Sequence, residues 1–340
     1  MRGMVLAAGL GTRLRPLTEA WPKPAIPLLG QPLFRYNLAL LRGAGVTAVG
    51  INTHHLPDVM RACAEAECRR AGLGLEAVHE PVIQGTGGGI RGLKHFLSGD
   101  DFLVLNGDIL FSLPLGPVVE AHRACGAAAT MVLLPMPAGE AFAAVEVDPA
   151  GVVRRIAGHG PGGERLAPWH FTGVHVMSPA VFDFMRGGGP EDINREVYVR
   201  MLQAGLSVRG HMVSGYWSDL GTPSRYLAAQ RDLLFGQVPL APFGEADPFA
   251  GLQRTQAGWI SPGANASGAG LAGPVHLSSG ATLRPGAKLG SAVHVAAGAE
   301  VGEGARLNRV AVFPDTHVRP GEELVECLAW RDERVAAPLP

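Results

Sequence analysis

The sequence predicts an α/β chain: a Rossmann-like, mostly parallel sheet with helices on both faces, followed by a short left-handed parallel β-helix. Three observations carry this expectation. Apolar strand-like runs alternate with helix-like stretches over the first two-thirds of the 340 residues. A Pro- and Gly-containing break follows Arg231-Asp232-Leu233-Leu234, and beyond it apolar residues recur every six positions.

Met4–Ala8 is a short apolar run that reads as the first strand. Pro32 to Leu41 has helical spacing, with Pro at a plausible first turn and Gly43 and Gly45 at the exit. Val46–Ile51 is a second strand, and Leu56 to Arg70 an amphipathic helix with cations near its end. Leu75–Val78 and Phe102–Leu105 supply a third and fourth strand. Strands that alternate with helices pair in parallel, and ligands then bind beyond the C-terminal strand ends.

Past the break, Leu271, Leu277, Leu283, Leu289, Val295, Val301, Leu307 and Phe313 are spaced by six. Two positions before each stands a small or β-branched residue, from Ala269 and Val275 to Ala305 and Ala311. Three such hexads make one turn of a triangular parallel coil; the alternative is a low-complexity linker. The expected organisation is a catalytic domain over 1–235, a linker over 236–258, the hexad domain over 259–325 and a tail over 326–340.

A formal net charge of −1 excludes the basic surplus of a general nucleic-acid binder. The four cysteines form no C-x-x-C pair, so neither a zinc signature nor a disulfide framework is present, and free thiols fit a cytoplasmic protein. No apolar stretch approaches the ~20 residues of a membrane span, and the first strand is too short for a signal peptide.

The first strand runs into Gly9-Leu10-Gly11-Thr12-Arg13, and a lysine, Lys23, follows between Pro22 and Pro24. Glycines let backbone N–H groups approach phosphate oxygens. Arginine grips phosphate bidentately, and lysine offers a point charge that flanking prolines hold in place. Only three of the 29 Lys and Arg residues are lysines, which sets Lys23 apart. Leu14 stands where a dinucleotide fingerprint needs its third Gly, and no Gly-Lys-Ser/Thr follows, so neither that fingerprint nor a P-loop is present. Asp108 follows the fourth strand through Asn106-Gly107, which places a carboxylate at a strand's C-terminal end. Asp219 precedes a Gly-Thr-Pro helix start and is read either as a helix cap or as a ligand. His54-His55 point opposite ways on an extended segment and make a poor chelate.

Residues 4–28 (MVLAAGLGTRLRPLTEAWPKPAIPL) closely resemble the signature of the sugar-phosphate nucleotidyltransferases. So do Glu80–Ile90 (EPVIQGTGGGI), Asn106-Gly107-Asp108, the Thr172-Gly173 strand and Tyr216–Pro223 (YWSDLGTP), in the family's order. The resemblance implies an Mg²⁺-dependent enzyme that joins a nucleoside triphosphate to a sugar 1-phosphate, with Asp108 and Asp219 holding the metal. It implies a nucleotide site at Leu6, Ala8, Gly9, Gly11, Thr12 and Arg13 together with Glu80, Gly85 and Thr86. It implies sugar-phosphate contacts from Lys23, Asn106, Thr172, Gly173 and Asn194. Arg13 and Lys23 are the expected catalytic cations: one holds the departing pyrophosphate, and the other bridges the phosphates that meet in the transition state. Gly85 to Gly89 also reads simply as the start of a helix.

A carboxylate at Glu80 favours GTP, because guanine presents two N–H donors on one edge and uracil one. GTP with mannose 1-phosphate is therefore the expected pair, with a uridylyl- or thymidylyltransferase acting on a glucose-type or N-acetylamino sugar 1-phosphate as the alternative. The Glu-Lys-Pro that many members carry before the Thr-Gly strand is absent here. An acyltransferase activity of the hexad domain and a choline-phosphate cytidylyltransferase are lesser alternatives. The exposed end of the coil implies docking on the catalytic domain or a homo-oligomer.

Overall fold

The computed structural model describes residues 1–140 and 142–339. Pro340, the end of the expected tail, lies outside the described residues. The contacts divide the chain into two compact units that interleave in sequence. The first unit holds Met1–Leu10, Pro22–Pro24 and Tyr36–Trp217, and the second holds Gly11–Trp21, Ala25–Arg35 and Ser218–Pro340.

In the first unit the strands Gly74–His79, Ala48–Thr53, Arg2–Leu6 and Phe102–Asn106 lie side by side in that order, all parallel. Met4, Val5, Val49, Ile51 and Leu103 to Leu105 have no exposed surface, as strands covered on both faces require. The helix Pro57–Ala71 begins on Pro57 and ends on a left-handed Gly72, with Arg69 and Arg70 in its last turn.

Beyond Phe102–Asn106 the sheet changes character. The long strand Ala167–Met177 pairs antiparallel with it, and antiparallel also with Ala129–Pro135 and Ala144–Val147. The sheet is therefore mixed, where the alternation of elements predicted a mostly parallel one. One of its antiparallel pairs is made by a tight turn. Asp148 Oδ1 accepts the N–H groups of Ala150 and Val152, so Val153–Ile156 folds straight back on Ala144–Val147 without a crossover helix.

The second unit stacks short strands in parallel. Val275 lies opposite Val293, Thr282 opposite Glu300 and Lys288 opposite Arg306, an offset of 18 residues on each of three sides. This pairing is compatible with a β-helix of three hexads per coil. Ala281, Leu283, Ala287, Leu289, Val293, Val295, Ala299, Val301, Ala305 and Leu307 fill its interior, as the six-residue spacing predicts.

After Leu307 the period slips. His294 pairs with Ala311 and Val295 with Val312, an offset of 17. A left-handed turn at Arg309 (φ 54°) falls where one residue is lost. Val310 and Val312 take the interior positions that the spacing assigned to Ala311 and Phe313. Phe313 instead packs outside the coil against Trp21 and Tyr226, with ring centroids 5.9 and 5.4 Å away. Tyr226 lies on the helix Pro223–Leu234, whose fully buried Gln230 donates to the carbonyls of Ala292 and Val310, 3.1 Å each.

The segment 236–258, expected as a linker, contains the 3-10 turns of Ala241–Ala246 and the strand Gln253–Thr255. Residues of the expected tail form the end of the strand Glu323–Trp330 and the antiparallel strand Glu333–Ala336. Among the described residues no helix is long and apolar enough to cross a membrane.

Candidate active site

Four strand ends build a cleft in the first unit. The first strand leads through Leu6, Ala7, Ala8 and Gly9, and its neighbour Ala48–Thr53 contributes Asn52. The loop after Gly74–His79 contributes Ile83, Gly85 and Thr86, and the fourth strand ends in Asn106, Gly107 and Asp108. Lys23 and Pro24 complete a cleft of about 250 Å³. All four contributions leave the C-terminal strand ends, where open α/β sheets take their ligands.

Lys23 Nζ lies 2.9 Å from Asp108 Oδ2, with both side chains largely shielded from solvent. Among the described residues Asp108 Oδ1 has no hydrogen-bond partner. A carboxylate with one uncommitted oxygen beside a phosphate-sized cleft fits a hard divalent cation, and Mg²⁺ commonly takes one or two carboxylates plus substrate phosphates. No group of three His, Cys, Asp or Glu side chains suited to a metal exists among the described residues.

Asn106 is held by the strand beside it. Gly173 has φ 85°, and a Cβ there would come within 2.7 Å of Asn106 Nδ2, so only glycine lets the amide lie against this backbone. Thr172 departs from expectation. It has no exposed surface, and its hydroxyl donates to the Val132 carbonyl (2.9 Å) and accepts from the Val174 N–H (3.3 Å). Its own carbonyl accepts the Trp217 indole N–H at 2.7 Å, so Thr172 secures the strand rather than reaching a ligand. Asn194 lines a second cavity of about 270 Å³ with Phe142, His170, Asp192 and Arg195. Its Oδ1 is buried there without a partner.

Glu80 also departs from its expected place at the nucleobase. The side chain is buried: Oε1 accepts from Asn52 Nδ2 (2.8 Å) and Oε2 from the Gln84 N–H (2.9 Å). Both oxygens are committed inside the protein, and Glu80 does not line the cleft. His54, discounted as a metal ligand, donates from Nδ1 to the Glu80 carbonyl at 2.7 Å. Gly85 opens the helix Gly85–Gly92, and with Thr86 it also lines the cleft.

The remaining expected site residues belong to the second unit. Gly11, at φ 65°, turns the chain into the 3-10 turn Thr12–Leu14, and its carbonyl accepts the Thr18 hydroxyl at 3.0 Å. Arg13 is exposed, and its guanidinium passes over Gly221: a Cβ built there would be 2.8 Å from Arg13 Nη2 and 3.4 Å from Asp219 Oδ2. Asp219 is ion-paired with Arg225. It does not cap the helix Pro223–Leu234, because Thr222 Oγ1 accepts the Arg225 N–H in that role. Sequence reasoning missed Asn52, Ala7 and Ile83. The signal for Asn52 was a polar residue at the end of an apolar strand, overlooked beside the two histidines.

A sequence model of the family described as "Nucleotidyl transferase" matches residues 2–235, more than half of the chain. The chain belongs to the nucleotidyl transferase family. This nucleotidyltransferase is 31% identical, over 83% of its length and 76% of the relative's, to a mannose-1-phosphate guanylyltransferase of Mycobacterium tuberculosis. It is 26% identical to a UTP–glucose-1-phosphate uridylyltransferase of Synechocystis sp., over 97% of its own length and 87% of the relative's. Among solved structures, HddC from Yersinia pseudotuberculosis complexed with GMP-PN matches with a TM-score of 0.55 at 20% identity. That match covers 67% of this nucleotidyltransferase and 97% of HddC, and it is a likeness of fold.

Proposed function

We propose that this nucleotidyltransferase joins a nucleoside triphosphate to a sugar 1-phosphate and releases pyrophosphate, with GTP and mannose 1-phosphate as its substrates. The observation that carries the reading is the Lys23–Asp108 pair in a glycine-lined cleft beyond the strand ends. A sugar 1-phosphate is already an anion, so its oxygen needs no general base. It needs relief from charge repulsion and alignment with the α-phosphorus of the triphosphate. A bond forms between that oxygen and the α-phosphorus, the bond to the bridging oxygen of the β-phosphate breaks, and pyrophosphate carries the electron pair away.

Lys23 presents its ammonium to the phosphates from a backbone stiffened by two prolines, and Arg13 holds the departing pyrophosphate. Asp108 and Asp219 would hold Mg²⁺, which supplies charge neutralisation at the phosphates. The backbone from Ala8 to Gly9 and the Gly85–Thr86 turn form the walls for the nucleotide. The cavity with the unpartnered Asn194 Oδ1 suits a hydroxyl-rich sugar, because that oxygen needs a donor. The segment 259–325 forms a left-handed parallel β-helix with a structural or assembly role.

The choice of GTP and mannose 1-phosphate rests on the Mycobacterium tuberculosis relative, since both Glu80 oxygens are engaged within the protein. A second reading, UTP with glucose 1-phosphate, is favoured by the Synechocystis relative, which matches 97% of this chain. A matrix of nucleoside triphosphates against sugar 1-phosphates, with pyrophosphate release as readout, tests both. Turnover of UTP at least about tenfold faster than GTP replaces the first pair with the second, and no release with any pair removes the reaction itself.

A further inference from the structure

Asn52 and Glu80 join the two walls of the cleft from beneath. The Ala7 N–H, in the loop leaving the first strand, donates to Asn52 Oδ1 at 2.9 Å. Asn52 Nδ2 donates to Glu80 Oε1 at 2.8 Å, and the Gln84 N–H donates to Glu80 Oε2 at 2.9 Å. Ala7, Ala8 and Gly9 form one wall, and Ile83, Gly85 and Thr86, on either side of Gln84, form the other. Only 2% of Asn52 and 5% of Glu80 is exposed. The relay is closed on its far side by Gly89, where a Cβ would stand 2.5 Å from Asn52 Nδ2 and 3.1 Å from Glu80 Oε1.

We propose that Asn52 and Glu80 are positioning residues that set the separation of the two cleft walls, and so the affinity for the nucleotide, without reading its base. The proposal rests on the cleft being the nucleotide site.

Hydrogen-bond polarity makes it specific. Both ends of the relay are backbone N–H donors, which cannot exchange roles, so the two side chains must together accept at both ends and make one donor–acceptor contact between themselves. An amide at 52 with a carboxylate at 80 satisfies this. A carboxylate at 52 with an amide at 80 satisfies it equally, at the same net charge. Two amides set a donor against a donor, and two carboxylates face each other unshielded. A burial this deep offers no water to mend either fault.

The test is the series Glu80→Gln, Asn52→Asp and the double variant in the full chain. Binding of GTP and of UTP is measured by equilibrium dialysis, and KM and kcat by pyrophosphate release. Each single variant is expected to weaken nucleotide binding about tenfold or more, the scale of one unsatisfied buried polar group. It should raise KM more than it lowers kcat and leave the GTP-to-UTP ratio unmoved. The double variant is expected to recover affinity to within about threefold of the wild type, a coupling that independent sites do not show.

A GTP-to-UTP ratio that moves with Glu80→Gln alone, or a double variant that binds no better than the weaker single, overturns the proposal. If a single variant does not fold, the double variant decides by the same affinity criterion. A wild-type chain that binds nucleotide but releases no pyrophosphate refutes the proposed reaction while the relay is still judged by binding. A wild-type chain that binds no nucleoside triphosphate refutes both.

Discussion

Lys23 Nζ and Asp108 Oδ2 are 2.9 Å apart, although 85 residues separate them in sequence. The ammonium orients the carboxylate, and the carboxylate fixes the ammonium on a proline-bounded turn. Lys23→Ala is expected to lower kcat about 10²-fold, the loss of one preorganised donor. Asp108→Asn should shift the Mg²⁺ requirement upward with the fold intact. Because the two side chains act as a pair, the double variant Lys23→Ala/Asp108→Ala should lose at least about threefold less activity than the product of its singles. Losses that multiply would show that the ion pair plays no part in turnover.

Gly173 holds Asn106 in the cleft by lacking a side chain. Gly173→Ala meets both a left-handed φ of 85° and an overlap with Asn106 Nδ2 at 2.7 Å. The expected cost is about 1–3 kcal/mol of stability, together with a loss of kcat/KM as Asn106 is displaced. Denaturant titration reads the first and steady-state kinetics the second. Unchanged kinetics would remove Asn106 from the site.

Phe313 supports the second unit from outside the coil. Phe313→Ala should cost about 3–5 kcal/mol, as for other large aromatic truncations in well-packed surroundings. It should also shift tryptophan emission to the red, because Trp21 loses its neighbour and also contacts Trp330, with ring centroids 5.5 Å apart. An emission spectrum identical to the wild type would contradict this packing.

Acid should destabilise the second unit through two histidines. His276 Nδ1 and His294 Nδ1 are 2.9 Å apart, and His276 Nε2 donates to the Pro248 carbonyl at 3.3 Å. Two neutral rings satisfy this arrangement, with His294 Nδ1–H donating to His276 Nδ1. Burial pushes His276 down to about 4. It pushes His294 well below the usual range, with the neighbouring His276 adding to the effect. Folded-state values depressed in this way mean that the unfolded chain binds protons first. Stability is then full above about pH 6.5 and falls as the pH drops through the folded value. Urea midpoints measured at about pH 7.5 and about pH 5 should differ, and His294→Gln should flatten the slope. A midpoint independent of pH over that range would contradict the buried neutral pair.

Much of the cleft was legible because strand ends and glycines announce themselves in the chain. Leu6, Ala8, Gly9, Lys23, Gly85, Thr86, Asn106 and Asp108 all line it. The roles of Glu80 and Thr172 were not legible, because a polar side chain looks the same in sequence whether it faces a ligand or a buried amide. Only the Asn52 and Val132 partners distinguish the two cases. The first parallel strands followed from their uninterrupted apolar runs, whereas the tight reversal between Ala144–Val147 and Val153–Ile156 rests on the hydrogen bonds of one aspartate, Asp148. The hexad period located the stacked parallel strands, but a period says nothing about where it fails. The slip is visible only in the pairing, where the offset changes from 18 to 17 after Leu307.

That slip changes what the outer wall of the coil can do. A strict six-residue register would send Ala311 and Phe313 inward, in line with Val293 and Val295. Losing one residue reverses the facing of everything that follows on the same strand. Phe313 is delivered outward and the valines on either side of Ala311 keep the interior filled. The carbonyl of Val310 becomes one of two acceptors for Gln230. A docking surface for the helix Pro223–Leu234 thus arises from a change of count rather than of composition. Inserting one residue between Asn308 and Val310 would erase that surface while leaving every amino acid of the repeat in place.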